Sequence, residues 1–71
     1  MTESRYEVIV YWDKCDGIFV AEVPELPGCM AHGETKTDAV RNAESAIELW
    51  IETAREDGVA VPEPKGRLLF A

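Results

Sequence analysis

With 71 residues, a net charge of −7 and 14 acidic against 7 basic side chains, the chain is one small acidic domain, 1–71, without the clustered Lys and Arg that a nucleic-acid surface needs. A core of this size supplies only about 3–5 kcal/mol unless something staples it. The two cysteines allow at most one bridge and no metal-ligand spacing is visible, so oligomerisation is the expected staple.

Residues 5–12, RYEVIVYW, are dense in β-branched and aromatic side chains and read as a strand. Alternation puts Tyr6, Val8, Val10 and Trp12 on one side and Glu7, Ile9 and Tyr11 on the other. A strand apolar on both sides is central or is covered by another subunit, which marks Ile9 and Tyr11 as candidate oligomer contacts. Asp16-Gly17 signals a hairpin turn. Residues 18–23, IFVAEV, form the return strand, with Phe19, Ala21 and Val23 on one side.

Pro24, Glu25, Leu26, Pro27 and Gly28 cannot continue a ladder, because each proline lacks an N–H and restricts its predecessor. They predict a rigid corner. A short third strand over residues 29–33 then delivers the chain to Thr35.

Residues 35–58 predict one amphipathic helix of roughly 30 Å. Val40, Ala43, Ile47, Trp50, Ile51 and Ala54 share a face at steps of three and four. Thr35 is the expected N-cap, with Asp38 completing a shortened capping box, and Gly58 the left-handed stop. Glu44, Glu48, Glu52 and Glu56 recur every four residues as an acidic stripe with no lysine at the next turn. After the helix, residues 59–61 are expected to pack beneath its end, Pro62-Glu63-Pro64 to form an extended elbow, and residues 67–70, RLLF, a last short strand. The fold class is α+β, in the order β-β-β-α-β, with an antiparallel sheet covered on one face by the long helix. The polar N-terminus shows no signal peptide and no apolar run approaches the roughly 20 residues that span a bilayer, so the expected location is cytoplasmic, with reduced cysteines.

Taken together, the aromatic first strand, Asp16-Gly17, the string from Val23 through Pro24-Glu25-Leu26-Pro27-Gly28-Cys29, Gly33-Glu34-Thr35, and Asn42-Ala43-Glu44-Ser45-Ala46-Ile47 resemble the HicB antitoxin family. The resemblance runs from about Tyr6 to Phe70. It implies a partial ribonuclease H-like fold and a bacterial type II toxin–antitoxin role: binding and neutralising a small basic HicA-type toxin, an mRNA-cleaving ribonuclease. Many members also carry a C-terminal DNA-binding segment. This sequence stops at Ala71, so no direct DNA binding is expected of it.

Each side chain with chemistry also has a plainer use. Asp13, Asp16 and Glu22 invite a two-metal site in a ribonuclease H-like fold, but Asp is common in turns and Glu22 alternates away from the apolar side. Cys29 reads as a small buried hydrophobe and Cys15 as an exposed turn thiol, with no bridge between them. His32 is the sole histidine and lacks a nucleophile on its own strand face. Trp12 and Trp50 read as core or subunit contacts, Trp50 with Ile9 and Tyr11. No catalytic residue, cofactor or metal ligand is therefore expected. The candidate partner-binding residues are Pro24, Glu25, Leu26, Pro27, Glu48 and Glu52. The leading function is an antitoxin-like binding protein that sequesters its toxin without catalysis. A stand-alone oligomer of the same fold and a metal-dependent ribonuclease are the alternatives.

Overall fold

The computed structural model describes residues 5–64. Within them lie three strands, β1 (Ile9–Asp13), β2 (Ile18–Glu22) and β3 (Met30–Gly33), followed by one helix, α1 (Lys36–Glu56). The strands form an antiparallel meander in the order β1-β2-β3, and α1 packs on one face of it, an α+β arrangement. The strand expected at residues 67–70 lies outside the described residues.

Register assigns the faces. Val10, Ala21 and Ala31 stand side by side, as do Trp12, Phe19 and Gly33, and these rows face α1. The row is small where the helix comes closest. A Cβ added at Gly33 would sit 2.3 Å from the Ala39 backbone nitrogen, so only glycine allows β3 and the first helical turn to meet as they do. The core is Ala21, Val23, Leu26, Cys29, Ala39, Ala43 and Ile47. The expected first strand is shorter than its composition suggests. Tyr6 and Val8 precede the ladder, yet both still pack against the core. Trp12 stands at the far end of the row, edge-on to Phe19 at 4.9 Å between ring centroids, and is largely exposed.

The turns explain the polar residues near them. Asp13 Oδ1 accepts from the Cys15 and Asp16 amides at 3.0 and 3.3 Å, and its carbonyl accepts from Gly17 at 2.8 Å. That is local turn chemistry. At the corner, the Leu26 amide donates to the Val23 carbonyl at 3.1 Å and its own carbonyl accepts from Cys29 at 3.0 Å. Leu26 is thereby held facing inward.

The Thr35 N-cap and the Gly58 stop follow the sequence reading, and of the expected capping box the Thr35 half is formed. Thr35 is extended (φ −127°, ψ 164°) and its hydroxyl accepts from the Asp38 amide at 3.0 Å. Thr35→Ala removes that bond and should cost about 1 kcal/mol, a fall in Tm of about 4–8 °C, read by thermal circular dichroism. At the other end Gly58 has φ 72°, its amide reaches the Arg55 carbonyl, and the Val59 amide reaches Ala54 at 2.8 Å. These paired bonds make a Schellman stop. The expectation that Val59 packs beneath the helix end is corrected: the stop turns its side chain outward, and it is half exposed.

Candidate partner-binding surface

Four surfaces are candidates for contact with a partner, and each follows from the packing above. The first is the acidic row. Glu48, Glu52 and Glu56 are exposed along α1, and Glu44 is half-buried. Because 3.6 residues make a turn, side chains four apart drift around the helix, so the row crosses its outer surface obliquely. Arg55 lies among Glu48, Glu52 and Glu56 around a shallow depression floored by Ile51, and it partly offsets their charge.

The second is the proline corner. Pro24 and Pro27 are exposed and Glu25 is half-buried, its Oε1 accepting from the Glu7 amide at 3.4 Å. The structure corrects Leu26 as a partner-binding residue. It is 0% exposed, clamped between Val23, Cys29 and the helix face, and no partner reaches it without opening the core. Trp50, expected at a subunit contact, is half-buried against that core and donates its indole N–H to the Pro27 carbonyl at 3.0 Å. That bond ties the corner to α1, a contribution of about 0.5–1.5 kcal/mol.

The third surface is the sheet face turned away from α1. Ile9, Glu22 and Met30 form one row across it, and Tyr11, Val20 and His32 the next. Ile9, Tyr11 and Met30 are 41–45% exposed, while Val20, in the central strand between Tyr11 and His32, is 1% exposed. Tyr11 donates its hydroxyl to Glu22 Oε1 at 3.2 Å, and partial desolvation together with this bond pushes the phenol above its ordinary pKa. Both expected oligomer contacts of β1, Ile9 and Tyr11, therefore lie together on this face.

The fourth was not legible in the helix stripe. A groove of about 440 Å³ runs between the edge of β3 and the C-terminal half of α1, lined by Met30, Ala46, Leu49, Trp50, Thr53 and Val59 among others. Leu49 is 65% exposed. Its signal in the sequence is a leucine outside the apolar stripe, one position past Glu48, on an arc otherwise polar. Asp57 lines the end of the groove at the helix C-terminus, where the helix dipole adds negative potential.

No other chemistry gathers. Among the described residues no cluster of three or more His, Cys, Asp or Glu is placed to hold a metal ion. Burial pushes the Cys29 thiol above its ordinary pKa, which disfavours the thiolate that a nucleophile or ligand needs. Cys15 sits in the hairpin turn before β2 and Cys29 beyond its far end. The strand's length, at roughly 3.3 Å per residue, holds them farther apart than a disulfide spans. Tyr6, desolvated and near Glu25, has its pKa raised and donates to the Pro62 carbonyl. No described helix is long and apolar enough to cross a membrane.

A family model described as a HicB-like antitoxin of bacterial toxin–antitoxin systems matches residues 6–67. The chain is 40% identical over 58 residues to a UPF0150 protein of Thermoplasma acidophilum, covering 82% of this chain and 83% of that one. It is 37% identical over 58 residues to a UPF0150 protein of Synechocystis, covering 82% and 78%. An uncharacterised 14.9 kDa protein of Haemophilus phage HP1 is 37% identical over 51 residues, 72% of this chain and 38% of the phage protein. Relatives thus come from an archaeon and a phage as well as a bacterium. No solved structure matches the chain.

Proposed function

The chain belongs to the HicB-like antitoxin family, and from that premise we propose that it is the antitoxin of a type II pair, binding a small basic HicA-type ribonuclease in the cytoplasm and blocking mRNA cleavage without catalysis of its own. The observation that carries the reading is electrostatic. Net charge is −7, and the acidic row of α1 stands on the outside of the molecule. The surface with which a ribonuclease holds RNA phosphates carries positive charge, and an acidic surface attracts it from a distance. Exposed ion pairs contribute little once formed, so the row steers while apolar and backbone contacts hold. The exposed Pro24 and Pro27, with Glu25, Glu48 and Glu52, complete the proposed contact set.

If a small basic protein is encoded beside its gene, growth rescue and pull-down with that neighbour as partner test this. If that neighbour is toxic and the chain neither binds it nor restores growth, the reading falls. Reversing Glu48 and Glu52 to Lys should slow association roughly tenfold at low ionic strength, with dissociation nearly unchanged. Surface plasmon resonance across a salt series reads both rates. The difference should fade toward about 1 M salt, where screening shortens to about 3 Å.

A second reading, a stand-alone homo-oligomer (a dimer or a dimer of dimers), is favoured by the half-exposed Ile9, Tyr11 and Met30 on the sheet face that α1 leaves uncovered. Light scattering at micromolar concentration decides it: a folded 7.9 kDa monomer rules it out.

A further inference from the structure

We propose that the edge of β3 at Met30, which no described strand pairs, together with the groove beside it, is where an extended segment of the basic partner adds as a further strand, setting a Lys or Arg against Asp57. The inference rests on the partner reading above and adds where and how the partner is gripped. Three observations meet there.

The first is the backbone. The Val23 amide donates to Cys29 at 3.0 Å, and antiparallel pairing alternates, so Ala31 turns its N–H and C=O toward β2 while Met30 and His32 turn theirs away. The fold treats the two outward residues differently. Asn42, reaching over from α1, caps the His32 carbonyl at 2.6 Å. Met30 lies at the other end of the same edge, where it opens into the groove. An open edge is a template for another strand.

The second is the lining. Leu49, Val59 and Met30 are each 44–65% exposed, and Trp50 and Ala46 floor the space between them. A strand added at Met30 would direct alternate side chains toward α1, the arrangement in which main-chain bonds give affinity and side-chain pockets give specificity.

The third is charge. Asp57 and the C-terminal end of the α1 dipole make one end of the groove negative. That complements a cationic chain and opposes a second copy of this one, which also carries −7.

The test uses the full chain, isotopically labelled, with the basic neighbour as probe. In the free protein the Met30 amide should exchange freely. In the complex its exchange should slow at least roughly tenfold. Leu49→Arg, at an exposed side chain that leaves the core intact, and Met30→Pro, which deletes the edge donor, should each weaken binding about tenfold or more. Lys14→Ala, in the hairpin turn, should bind as wild type does. The site is overturned if the folded Leu49→Arg protein binds normally or if complex formation leaves Met30 exchange unchanged. It is also overturned if the Met30 amide is already protected in the free chain, because another strand, from this chain or a second copy, then occupies the edge. If the wild-type chain does not bind the neighbour, the partner reading itself fails and takes this site with it.

Discussion

Gly33→Ala should leave most of the chain unfolded at 25 °C. The added methyl would lie 2.3 Å from the Ala39 nitrogen, 2.7 Å from the Asp38 carbonyl carbon and 2.8 Å from the Ala39 Cα, all backbone. No side chain can swing aside, so the first turn of α1 must lift from β3. Overpacking of this kind costs about 1–3 kcal/mol where side chains can adjust, and more where they cannot. A core of this size holds only about 3–5 kcal/mol in all. Urea titration followed by circular dichroism checks the loss. Gly58→Ala is the contrast: nothing lies within 4 Å of its added methyl, and the cost, about 1–2 kcal/mol, comes from the left-handed backbone at φ 72°. If Gly33→Ala melts no lower than Gly58→Ala, the close approach is not what positions the helix.

Leu26→Ala should cost about 2–5 kcal/mol, again near the whole stability of the chain. Leu26 is among the largest fully buried side chains, and it joins the corner, β2 and α1 in one core. Pro24→Ala, two residues away and exposed, should shift stability by less than about 1 kcal/mol. Denaturant midpoints of the two variants separate a structural corner from a purely docking one. A mild Leu26→Ala would mean that the corner is held by its prolines and turns alone.

The resemblance to HicB-like antitoxins was legible because it lies in ordered strings, the proline corner followed by Gly33-Glu34-Thr35 and the Ala43–Ile47 stretch, and the family match spans the same region. The candidate surface was legible only in part. The acidic row could be read because exposure of every fourth glutamate follows from helix geometry alone. The groove could not, since it exists only where α1, β3 and the turned-out Val59 come together.

By itself the sequence determined the local elements: the hairpin at Asp16-Gly17, the caps at Thr35 and Gly58, the strand alternation through Phe19 and Ala21, and the helix face of Ala43, Ile47 and Ala54. Each depends on residues within about one turn or one strand pair, where periodicity and backbone preference decide. Tertiary structure decided the rest. It took Leu26 from a surface motif into the core, replaced Val40 by Ala39 as the first fully buried helix position, tied Trp50 to Pro27, and left Leu49 beside an open strand edge. Those outcomes turn on how near α1 comes to β3, a distance set by Gly33 and the small residues around it, and periodicity along the chain carries no measure of that distance.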